Sequence, residues 1–213
     1  TFEPGQLGAG LEYAERAIAA PGMCTPRNLI TVAGLYQRIG RTDRTEALLV
    51  HALEHANPRE ATEARTYLAL AYCRAALEGR AGAARAAQRE ARTALELLEE
   101  GAIGTEHLVI RVVWAVTDGL MGRRASGLAQ AKQALEFLHA VESSSVVYVC
   151  AALLCIHFAQ DGARDDMLDA ARVLDAVPES APGEIVSLTL FARAFMAFAS
   201  GAARTAAHHA ARA

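Results

Sequence analysis

Glycines that close apolar stretches recur at Gly40, Gly122, Gly162 and Gly201, at a spacing of about 40 residues or twice that. A second marker keeps the same phase, a small residue followed by an aliphatic one at Ala17-Ile18, Ala52-Leu53, Ala94-Leu95, Ala134-Leu135 and Val173-Leu174. Two markers in phase restrict the chain to one kind of architecture: a unit that cannot bury its own apolar stripe and must stack on copies of itself. The composition says what the unit is made of. Alanine dominates, prolines number 6 and aromatics are 6% of 213 residues, a mixture that favours helix because alanine loses least on entering one and proline interrupts it.

Start and stop signals divide each unit into two helices. Thr25-Pro26 supplies a cap and a first-turn proline for a helix over 26–39, and a second runs over 43–56 to Asn57-Pro58. Further pairs are expected over 58–78 and 83–99, 106–121 and 124–141, and 144–160 and 164–176. Pro178, Pro182 and Gly183 break the chain before a fifth first helix over 184–200, and 202–213 begins its partner. The array thus begins and ends mid-pair. With no starting methionine, residues 1–213 read as one repeat domain excerpted from a longer protein.

Val32-Ala33-Gly34-Leu35-Tyr36-Gln37-Arg38-Ile39-Gly40 resembles the first helix of a tetratricopeptide repeat, and Ala52-Leu53 with Pro58 its second. Leu68-Ala69 and Tyr72 repeat the pattern, Trp114-Ala115 with Gly122 does so in part, and Leu154-Cys155, Phe158 and Gly162 more loosely. The period, longer than that family's, is similar to the helix-pair arrays of MalT-type and other large ATP-binding LuxR-family regulators. The resemblance implies an all-α, right-handed superhelical solenoid of about five antiparallel pairs. It also implies a setting in a larger transcription regulator, while a basic complement that is almost all arginine, with Lys132 the only lysine, points to a bacterial source and cysteines without paired spacing to a reducing cytoplasm. Ala33, Ala52, Ala69, Ala94, Ala115 and Ala134 should lie where helices approach closely.

Several function classes lose their footing. The net charge of -3 and a pI near 6.2 give no electrostatic footprint for nucleic acid or anionic membrane. The longest apolar run, Val146 to Ala159, is shorter than the ~20 residues that span a bilayer. Cys24, Cys73, Cys150 and Cys155 show no paired spacing and read as reduced thiols, three of them in apolar helical runs. Glycine-rich phosphate loops and nucleophile elbows are missing from the sequence. His51-Ala52-Leu53-Glu54-His55 fits an inverted zinc-peptidase pattern, but Ala52-Leu53 are committed to packing, which turns the histidines outward. His208-His209 point about 100° apart on a helix. No metal, cofactor or enzyme activity is expected. Arg80, Arg85, Arg89 and Arg92 alternate with Glu78, Glu90, Glu96 and Glu99, and Arg41 and Arg44 with Asp43 and Glu46, as solvated, ion-paired helix faces do.

Departures from the repeat mark candidate ligand or partner residues. Arg111 and Asp118 stand where the family pattern expects large apolar residues, seven apart and on one face. They bridge each other, turn outward by a register shift, or anchor a ligand together with His157. Arg193 departs similarly. Phe191, Phe195 and Phe198 form one stripe, either core, a contact with a further pair, or the floor of a hydrophobic groove. First helices become apolar nearly all round after the second pair, at Val109 to Val116, Val146 to Ala159 and Ile185 to Phe198, so each should be covered on every side. The expected function is a non-catalytic module for signalling or protein–protein interaction. It recognises a protein, peptide or small effector; the rival is self-association through the apolar C-terminal half, giving a homo-oligomer.

Overall fold

The computed structural model describes residues 4–20, 22–38, 41–98, 104–142, 144–178, 181 and 183–212. Among these the regular structure is helical throughout: α1 (Pro4–Ala19), α2 (Pro26–Arg38), α3 (Thr42–Leu53), α4 (Pro58–Leu77), α5 (Ala83–Leu97), α6 (Thr105–Leu120), α7 (Arg124–Ala140), α8 (Ser145–Asp161), α9 (Arg164–Asp175), α10 (Gly183–Ala199) and α11 (Ala203–Ala210). The helices fall into two compact units, Phe2–Ala102 with α1 to α5 and Ile103–Ala213 with α6 to α11.

In the first unit the starts are written in side chains. Thr25 Oγ accepts from the Asn28 N–H at α2. Asn57 and Glu60 exchange bonds at α4 in a capping box behind Pro58, which satisfies amides the first turn would leave orphaned. Leu29, Ile30 and Ala33 of α2, Leu49 and Ala52 of α3, and Ala64 and Leu68 of α4 make one core. Successive first helices run parallel, because Arg27 reaches Glu63 at the start of α2 and α4 while Arg74 reaches the Gln37 carbonyl near their ends. α1 was not assigned from sequence beyond its Ala17-Ile18 marker, its early Gly5, Gly8 and Gly10 being poor helix formers. Glu15 fastens it by accepting from both Tyr36 and Arg44.

The second unit repeats the same logic. Along α6 and α7, His107 stacks on Phe137, Arg111 meets Gln130 and Asp118 meets Ser126. One number rises as the other falls, so the pair is antiparallel. Tyr148 with Ala176 and Cys155 with Met167 show the same for α8 and α9. Lys132 with Asp166 and His139 with Asp169 set α7 and α9 parallel, as second helices of adjacent pairs should be. α8 touches α6, α7, α9 and α10, which explains why its sequence is apolar on every side. α10 differs from that expectation: Val186, Phe191 and Phe198 are exposed.

The repeat markers are confirmed with one addition. Gly122, Gly162 and Gly201 are left-handed at φ 77°, 73° and 77°. Each is followed by an N–H bonded five residues back, Arg123 to Asp118, Ala163 to Phe158 and Ala202 to Ala197, a C-terminal closure that needs glycine at the left-handed position. Gly79, at φ 85° with Arg80 bonded to Ala75, is the stop missing between Gly40 and Gly122. Gly40 itself lies outside the described residues. Ala33, Ala52, Ala69, Ala94, Ala115 and Ala134 are all fully buried.

Several expected charge pairings are rearranged. Arg80 binds Glu46 on α3 rather than a neighbour on its own helix, Arg65 and Arg89 share Glu90, and Arg44 goes to Glu15. Arg41 does pair with Asp43. Other arginines do pair along their own helix, Arg74 with Glu78 and Arg172 with Asp169.

Candidate functional site

Two glycines inside helices, Gly119 of α6 and Gly127 of α7, locate a polar centre in the Ile103–Ala213 unit. Each costs about 1 kcal/mol of helix propensity relative to alanine, so a packing reason is expected. A Cβ on Gly119 would lie 3.0 Å from Cε1 and 3.2 Å from Nδ1 of His157, and one on Gly127 would lie 2.9 Å from the Ala115 carbonyl and 3.2 Å from His157 Cε1. The missing side chains let α6 and α7 close on each other and seat the imidazole from α8 against both.

His157 is 4% exposed. Burial holds its imidazole below the ordinary histidine range, against the opposing pull of Asp161, a backbone hydrogen bond with Gly127, and Asp118. Its Nε2 lies 3.4 Å from Asp161 Oδ2 one turn along α8, yet both atoms are buried without a hydrogen-bond partner among the described residues. Beside them a cleft of about 280 Å³ opens between the helices, lined by Gly119, Arg124, His157, Gln160 and Asp161.

Asp118 precedes the cleft-lining Gly119 and acts on His157 by charge. The structure replaces the expected bridge to Arg111 with one from Arg123, whose Nε donates at 2.9 Å, and Ser126 Oγ donates to the other oxygen. Two turns separate Arg111 from Asp118 along α6, about 10 Å, and α7 supplies nearer partners to each. Arg111 donates to Gln130 at 2.8 Å and lies over the Trp114 ring, with Nε buried and unbonded. It belongs to the α6–α7 seam beside His107, whose basicity is lowered by burial and then by Arg111.

The remaining candidates lie apart from this centre. Arg193 donates to Asp175 at 3.0 Å and to the Leu174 carbonyl at 3.5 Å, so it ties α10 to the C-terminus of α9. Phe191 packs edge-on to Phe195, and Phe191 and Phe198 are 46% and 74% exposed; these two are surface rather than core. His51 and His55 are exposed, and no cluster of metal-ligating side chains forms among the described residues. Cys73, Cys150 and Cys155 are buried while Cys24 is exposed. Burial pushes the Cys73 and Cys155 thiols up to about 12, which leaves neither as a nucleophile near neutral pH.

The structure therefore joins Asp118 and His157 of the predicted set and leaves Arg111, Arg193 and the phenylalanines elsewhere. Asp161, Arg124 and Gln160 escaped the sequence reading. The available signal was Gly119 and Gly127, isolated glycines within helical patterns, together with the His-x-x-x-Asp spacing that puts two polar groups on one face of an apolar helix. No helix among the described residues is long and apolar enough to cross a membrane. The class defined by fold and site is an all-helical repeat protein with a polar cleft between helices of its second unit. The chain matches no protein-family model and no curated protein.

Proposed function

We propose that this chain is a non-catalytic binding module that recognises an effector or peptide group through the cleft between α6, α7 and α8. One observation carries the reading: His157 and Asp161 present buried polar atoms without partners at the wall of an open cleft. Buried polar groups are otherwise nearly always bonded, and an unmade bond costs about 1 to 3 kcal/mol. The buried thiols and the absence of phosphate-loop and nucleophile motifs support binding rather than chemistry. The tetratricopeptide-like pattern supports a place within a larger cytoplasmic regulatory assembly; the test is whether ligand occupancy alters the activity of the full-length protein.

The direct test is a screen of metabolites and random peptides by thermal shift and by retention on the immobilised protein. A ligand that binds the folded form raises Tm, and the effect should disappear in Gln160→Trp, which puts bulk at the exposed rim of the cleft. Ligands whose binding survives that substitution would move the site elsewhere. A second reading, self-association, is favoured by the exposed Phe191 and Phe198 on α10.

A further inference from the structure

The chemistry of the cleft can be taken one step further, resting on the reading of the site as a binding cleft. A neutral imidazole carries one proton on one of two nitrogens. His157 Nε2 has no hydrogen-bond partner among the described residues, which leaves it open to a group from outside. It faces Asp161 Oδ2 across 3.4 Å.

A buried carboxylate oxygen and an imidazole nitrogen, neither bonded among the described residues and both at a cleft wall, make a receptor for a donor-rich cation when the imidazole carries its one proton on Nδ1. The Asp161 side chain is 11% exposed, and a carboxylate so placed is costly to leave without a counter-charge. No arginine or lysine supplies its counter-charge among the described residues: Asp118 holds Arg123, and Arg124, although it lines the same cleft, is paired with no carboxylate there. Arg124 thus offers a guanidinium to an anion, and guanidinium groups suit carboxylates because two donors meet two oxygens. Gln160 adds an amide at the same rim.

We infer that the cleft binds a small zwitterion of the α-amino-acid class, its ammonium group donating to Asp161 Oδ2 and His157 Nε2 and its carboxylate paired with Arg124. The volume, about 280 Å³, lies near the lower end of small-molecule clefts and favours short side chains. A divalent cation is the weaker fit, since the two acceptors are not joined by a third ligand of the usual kind among the described residues.

The test uses the whole chain and the free L-amino acids, each applied singly at millimolar concentration in thermal shift and titration calorimetry, with acetate, methylammonium and zinc chloride as separate arms. At least one amino acid should raise Tm in a concentration-dependent way, while acetate and methylammonium, each lacking one charge, should not. Asp161→Asn and the exposed-rim variant Arg124→Gln should each weaken binding by about tenfold or more, the scale of one charge-assisted hydrogen bond, with helical circular dichroism unchanged. No response to any amino acid, a response unchanged in both variants, or a zinc response lost in Asp161→Asn would overturn the inference. Peptide retention that is lost in Gln160→Trp, alongside silent amino acids, would sink the zwitterion and leave the binding module standing. Silence in both experiments would sink both.

Discussion

Gly127 sets the limit on how closely α6 and α7 can approach, because its Cα faces the Ala115 carbonyl where a Cβ would sit at 2.9 Å. That neighbour is backbone and cannot swing aside. Gly127→Ala should therefore destabilise the protein by about 1 to 3 kcal/mol, as overpacking does, despite the gain in helix propensity; a thermal or urea melt that shows no loss would contradict the close approach. His157 beside it makes a pH-dependent contribution. Its basicity is lowered in the fold, chiefly by burial, so the unfolded chain binds the proton more readily. Stability is then lost as pH falls through the ordinary histidine range towards the lower folded value. Tm should be lower near pH 5 than at pH 7.5, and the difference should shrink in His157→Gln. His107 would retain its own share of the pH dependence, because it too is depressed by burial and by Arg111. An unchanged pH profile in His157→Gln would show that Asp161 and Asp118 already offset the burial.

At the scale of elements, the helix boundaries that could be read from sequence are those written in local chemistry. Thr25, Asn57 and Ser144 cap the helices they precede, and the left-handed glycines end those they follow. α1 resisted the same reading because its glycines weaken the local signal and its hold comes from Glu15 reaching Tyr36 and Arg44, partners distant in sequence. The site was legible to a similar degree. Asp118 and His157 could be suspected as polar residues in apolar helices, but their partners could not be assigned, since Arg123 and Ser126 compete with Arg111 only once α7 has folded back. Asp161 ends an apolar helix, and only the geometry shows its buried oxygen beside His157. Arg111 and Arg193, each conspicuous in an apolar stretch, prove to be engaged with Gln130 and with Asp175.

For the whole molecule, the exposed aromatics of α10 bear on whether the chain works alone. Phe191 and Phe198 are surface residues, so replacing both with Asp should change stability by no more than about 0.5 kcal/mol, the usual range for surface sites. If this face joins two copies, sedimentation or light scattering across a concentration series should show a wild-type dimer that the double variant abolishes. A wild-type monomer at every concentration would remove the self-association reading.

The stops at Gly122, Gly162 and Gly201 carry a further consequence. At each, φ is near +75° and the space where a Cβ would stand is open. The exclusion of other residues there is a matter of chirality and not of room. A D-alanine placed by chemical synthesis has the handedness these three turns prefer, and it would narrow the freedom of the unfolded chain. At these three turns the handedness of the backbone, rather than crowding, is what disfavours an L side chain.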